Sequence, residues 1–132
     1  MLASVSDTVR LSLHVLAATI WVGGQLVLAA LVPALRAAGS EIPRVAAQAY
    51  NRVAWPAFGV LLLTGIWNIQ SGGDWDGSRL TVLIVKLALV VVSGASAWAH
   101  TRATSKRGLA IGGALSGLSS LSVLVLGIVI AG

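Results

Sequence analysis

The sequence has no cysteine, one methionine, one phenylalanine and one tyrosine, and only four acidic residues among 132. Without cysteine there can be no disulfide, no thiolate metal site, no iron–sulfur cluster and no thioether-attached haem, while the redox compartment stays open. Charge of either sign is scarce. Asp, Glu, Lys and Arg make up 10% of the chain, where a soluble domain carries about a quarter. Hydrophobic residues reach 57% and the mean hydropathy is +0.92, so folding in water would leave much apolar surface uncovered. The net charge of +5 would suggest nucleic acid in a soluble protein. Here the basic residues sit in short stretches beside apolar runs, as membrane topology signals do, and no nucleic-acid partner is expected.

What is present is four apolar runs, each near the roughly 20 residues that cross a bilayer as helix. They cover about residues 8–35, 44–70, 78–101 and 108–131. Ser6 and Asp7 are candidate N-caps for the first, and Arg36 with Ala37-Ala38-Gly39-Ser40 closes it. Pro43 restarts the chain, and Pro56 is expected to kink the second run because it removes a backbone donor. Ser71-Gly72-Gly73-Asp74-Trp75-Asp76-Gly77 reads as a turn-rich loop, and Arg102 to Arg107 as a short basic one. The first run lacks a basic leader and a small-residue cleavage site, so it is expected to be retained. The runs are too long and unbroken for strands. Short loops impose antiparallel neighbours, which predicts an all-α fold: an integral membrane four-helix up-down bundle forming a single transmembrane domain.

Arg36, Arg44, Arg52, Arg102, Lys106 and Arg107 fall on one side of that arrangement, and Arg10 and Arg79 on the other. Positively charged loops stay cytoplasmic, which places both termini outside the cell membrane. Trp67 and Trp75 are then outer-interface anchors, with Tyr50 and Trp98 in the inner half.

Polar residues within the spans are ordered. Arg10, His14, Trp21 and Gln25 recur at spacings of four and seven, one stripe of a helix, and Arg79, Lys86, Ser93 and His100 recur every seven. At 1.5 Å of rise per residue, His14 lies roughly 9 Å and Lys86 roughly 12 Å into helices that both enter from the outer side. The two side chains are therefore expected to share one depth and a central volume. Each also has a plain structural reading: Lys86 can snorkel to the interface, and His14 can hydrogen-bond a helix carbonyl or Asn68. His100, beside Arg102, reads as interfacial. Gly108, Gly112, Ser116 and Ser120 form a row of small residues, with Gly113 and Gly117 in a second row; these suit either packing inside the bundle or a homodimer or other membrane-complex face. Trp21-Val22-Gly23-Gly24 leaves a notch for a neighbouring helix or a planar cofactor.

His14 followed by Ala17-Ala18-Thr19-Ile20-Trp21-Val22-Gly23-Gly24 resembles the opening of the CopD (copper resistance protein D) membrane domain. Leu61-Leu62-Leu63-Thr64-Gly65, Arg79-Leu80 with Val85-Lys86-Leu87-Ala88-Leu89, and His100-Thr101-Arg102 resemble three further blocks of that family. The resemblance covers most of residues 10 to 102. A histidine on the first helix and a lysine on a later one are also similar to HemJ-type four-helix protoporphyrinogen oxidases. That likeness implies His14 in haem binding and Lys86 in activity.

The CopD resemblance implies copper transport or resistance. Copper(I) prefers thiolate and thioether donors, yet Met1 is the only sulfur and the two histidines lie near opposite faces. Haem b needs less: one axial imidazole, an apolar slot and a cation for the propionates. His14 would be the ligand, Trp21, Gly23 and Gly24 the slot, Arg10 or Arg79 the propionate partner, and Lys86 a second ligand or proton donor. The expected function is a haem-dependent redox or haem-handling role, with copper transport and a non-catalytic accessory subunit as alternatives.

Overall fold

The computed structural model describes residues 2–131, and every regular element among them is helical. In chain order these are α1 (Val5–Ala18), a π-helical turn (Thr19–Gly23), α2 (Gly24–Ala38), α3 (Ile42–Ser71), α4 (Gly77–Arg102) and α5 (Lys106–Ala131). The first three run on without a break, so four helices are long and apolar enough to cross a membrane: Val5–Ala38, Ile42–Ser71, Gly77–Arg102 and Lys106–Ala131. This is the all-α, four-span architecture expected of a multi-pass membrane protein.

Helix ends differ from expectation where a cap was misread. The first helix begins at Val5 because Ser4, not Ser6 or Asp7, is its N-cap. Ser4 Oγ accepts from the Asp7 N–H at 3.1 Å and donates to Asp7 Oδ2 at 2.7 Å, so one hydroxyl caps the helix and is held by the carboxylate at N3. The second span begins at Ile42, with Pro43 in the first turn where a missing N–H costs nothing. The fourth begins at Lys106, because Ser105 Oγ accepts from the Gly108 N–H at 3.0 Å. Pro56 lies inside α3, which continues through it. Ala54 and Ala57 beside it are only 1% and 6% exposed.

The chain divides into two compact units, Met1–Gly73 and Asp74–Gly132, each a helical hairpin. In the first, α3 packs against α1, the π turn and α2; in the second, α4 packs against α5. Each hairpin also presents apolar side chains outward. Leu63 is 70% exposed in one, and Val91 is 68% exposed in the other. Such surfaces are uncovered in water and ordinary in hydrocarbon.

Candidate functional site

The polar stripe of the first span faces α3. Near its N-terminal end Arg10 donates from Nη1 to Asn68 Oδ1 and from Nη2 to Asp7 Oδ1, both at 2.7 Å. The Arg10 side chain is 11% exposed, and its Nε is buried with no hydrogen-bond partner. One turn further in, half-buried His14 lies with Nδ1 2.7 Å from Thr64 Oγ1. The Thr64 hydroxyl donates in turn to the carbonyl of Val60, also at 2.7 Å, the local bond that threonine commonly makes inside a helix. Thr64 is 4% exposed. Beside it, a Cβ on Gly65 would meet Cε1 of His14 at 3.9 Å. A polar site thus forms between α1 and α3 from Arg10, Asp7, His14, Thr64 and Asn68.

Deeper along the seam, Trp21 is 4% exposed and packs on Phe58 and Trp55, with ring centroids 4.4 and 5.3 Å away. The Tyr50 hydroxyl donates to the carbonyls of Ile20 and Trp21, 2.9 Å from each, and Gln25 Nε2 donates to the Trp21 carbonyl at 2.8 Å. These donors serve carbonyls of the π turn, where the regular helical pattern is interrupted. A Cβ on Gly24 would overlap the Tyr50 ring, whereas one on Gly23 would meet nothing within 4 Å. The Gly24 notch therefore seats a neighbouring helix's tyrosine. Nine residues, about 14 Å of helix axis, separate His14 from Gly23, so the glycine nearest the imidazole is Gly65.

Lys86 and Arg79 belong to the second hairpin. There the seven-residue line of α4 meets small residues of α5 in one antiparallel register. Lys86 Nζ lies 3.3 Å from where a Gly127 Cβ would stand, and the His100 ring lies 3.2 Å from where a Gly113 Cβ would stand. Between them Ser93 Oγ and Ser120 Oγ are 2.6 Å apart. His100 Nδ1 donates to the Leu109 carbonyl at 2.7 Å, which makes it a tie between the two helices. Gly112, Ser116, Ser119 and Ser120 are all buried, and a Gly112 Cβ would sit 3.1 Å from the His100 Cα. The small-residue row expected on the fourth helix is thus used within its own hairpin. Gly117 meets nothing within 4 Å. Arg79 stacks over Trp75 at 4.2 Å and donates to the Asp74 carbonyl at 3.0 Å.

Asn68, which with a helix carbonyl is one of two partners expected for His14, bonds Arg10, and His14 meets the Thr64 hydroxyl. The sequence lets Tyr50, Thr64 and Asn68 share one face of the second span, and from that helix Thr64 meets His14, Asn68 meets Arg10 and Tyr50 meets the π turn. The signal for Thr64 was its place on the same face of its helix as Asn68, one turn away. Among the described residues no group of three or more His, Cys, Asp or Glu gathers in a way that could hold a metal ion. No known protein family matches the chain, and neither curated proteins nor solved structures give a significant match.

Proposed function

We propose that this chain is a multi-pass protein of the cytoplasmic membrane, with both termini outside, that binds b-type haem through His14 for a redox or haem-handling task. The observation carrying this reading is an imidazole inside an apolar span whose Nδ1 meets a hydroxyl of the facing helix. Metal-ligating histidines are commonly oriented through their second nitrogen in this way. Gly65 of the facing helix stands beside the Cε1 edge of the ring, where a Cβ would come within 3.9 Å of it. The donor set suits haem better than copper: it offers a borderline nitrogen ligand and no soft sulfur. Arg10 fits a propionate, since its Nε is buried without a partner and Asp7 and Asn68 already hold the guanidinium in place. Bound haem would supply one-electron chemistry, while the chain supplies the ligand, the apolar surroundings and the cation.

An absorbance spectrum of detergent-purified protein, as isolated and after adding ferric haem, tests the proposal. A Soret band that is lost in His14→Ala and retained in His100→Ala supports it. Lys86→Ala asks in the same experiment whether the second hairpin contributes a ligand, which would appear as a changed spin state. A colourless protein that takes up no haem overturns the reading. Copper retained through dialysis would then favour transport, and retention of neither would favour an accessory subunit.

A further inference from the structure

We propose that Thr64 is a positioning residue for His14: its hydroxyl holds the imidazole in the Nδ1–H tautomer and so assigns the ring's lone pair to Nε2. Threonine has one hydroxyl proton. Thr64 Oγ1 lies 2.7 Å from both the Val60 carbonyl oxygen and His14 Nδ1, and the carbonyl can only accept. If the proton were turned toward His14, two oxygens would face each other at 2.7 Å with no hydrogen between them. With the proton on the Val60 side, Oγ1 presents a lone pair to His14, and Nδ1 must be the donor. The chain of donors runs from His14 to Thr64 to Val60, and neutral imidazole then carries its lone pair on Nε2.

The consequence is chemical. Nε2 becomes the nitrogen that can coordinate iron or accept a proton, and the ring is held by a residue that is 4% exposed on a different helix. Oriented ligands of this kind lose about 10- to 100-fold in metal affinity when the supporting group is removed. The inference builds on the haem reading only in what that electron pair is used for. The tautomer itself is a property of the haem-free chain.

His100 provides an internal reference, because its Nδ1 is tied to the Leu109 carbonyl and not to a hydroxyl. The test is nitrogen-15 NMR of the imidazoles in haem-free, detergent-solubilised full-length protein, at a pH alkaline enough to keep both rings neutral. The two histidines are assigned with His100→Gln. In the unaltered chain both rings should carry the proton on Nδ1. Thr64→Val should release His14 into a tautomer mixture while leaving His100 unchanged, which also shows that the variant is folded. Thr64→Ser should restore the single form. Titration with ferric haem should follow the same order, with Thr64→Val weakened about 10- to 100-fold and Thr64→Ser close to the unaltered protein.

His14 protonated on Nε2 in the unaltered chain would overturn the proposal, even if haem binds through His14. So would a Thr64→Val variant whose His14 tautomer does not move. Conversely, an Nδ1–H ring in a protein that takes up no haem would leave the positioning role standing and sink the haem reading instead.

Discussion

The two hairpins solve the same packing problem with opposite materials. In Met1–Gly73, α3 meets the first span through reach: a Trp21–Trp55–Phe58 cluster, a tyrosine spanning to a π turn, and Arg10–Asn68 and His14–Thr64 hydrogen bonds. In Asp74–Gly132, α4 and α5 meet through absence of bulk, with Gly113, Ser120 and Gly127 opposite His100, Ser93 and Lys86. Lipid tails are as apolar as leucine, so close backbone approach and cross-helix hydrogen bonds drive association in a membrane. The hairpin built on small residues gains mainly from close approach. The hairpin built on long ones keeps polar groups and an irregular backbone at its seam, and there a ligand's chemistry can be housed.

The comparison breaks most readily at Gly112. Its added Cβ would meet the Cβ, Cα and backbone N of His100 at 3.0 to 3.3 Å, and backbone cannot swing aside as a side-chain tip can. Gly112→Val should cost the second hairpin about 1–3 kcal/mol or more through overpacking, while the fluorescence of the Trp21–Trp55 cluster stays unchanged. Helical circular dichroism during a denaturing-detergent titration reads the first quantity, and emission of a Trp67→Phe, Trp75→Phe, Trp98→Phe background, which keeps only Trp21 and Trp55, reads the second. A Gly112→Val protein as stable as its parent would show that small residues do not set the α4–α5 approach.

At Gly24 the obstacle is a side chain, and the outcome should be correspondingly conditional. Gly24→Ala drives a Cβ into the Tyr50 ring and is expected to cost about 1–2 kcal/mol, partly through lost hydroxyl bonds to Ile20 and Trp21. In a Tyr50→Ala background the same substitution should cost less than half as much, because the obstacle is gone. A double-mutant cycle on detergent unfolding measures that coupling. Equal costs in both backgrounds would mean that Tyr50 does not seat the π turn.

Hydropathy acts over about 20 residues at a time, so all four spans were legible in the sequence. The polar stripes were legible too, because helical periodicity needs no tertiary information: Arg10 and His14 do share a face, and so do Lys86, Ser93 and His100. The π turn was not. Its carbonyls are served by Tyr50, some thirty residues along the chain, and no local pattern announces that partner. Gly127 was overlooked because it stands in an apolar tail, apart from the Gly108–Gly112–Ser116–Ser120 row, and matters only once the α4–α5 register is known. His14 could be singled out from composition alone, since an ionisable group in an apolar run is rare. Its hydroxyl partner could not, because several polar residues of the second span lay within plausible reach.

The finest contrast lies in the buried Ser93–Ser120 pair, whose 2.6 Å contact invites the idea that hydrogen bonding holds the second hairpin together. Interhelical hydrogen bonds in membranes average only about 0.6 kcal/mol, because separated helices find other partners for the same groups. Ser93→Ala and Ser120→Ala should therefore each cost under about 1 kcal/mol, with a coupling near 0.6 kcal/mol in a double-mutant cycle on detergent unfolding. Alanine keeps the seam nearly as narrow as serine does, so the shape that holds α4 to α5 survives the loss of both hydroxyls. A coupling well above about 2 kcal/mol would reverse the assignment, making polarity and not small size the cohesive element of this hairpin. The two hairpins would then differ in the reach of their polar groups and no longer in the kind of force that joins their helices.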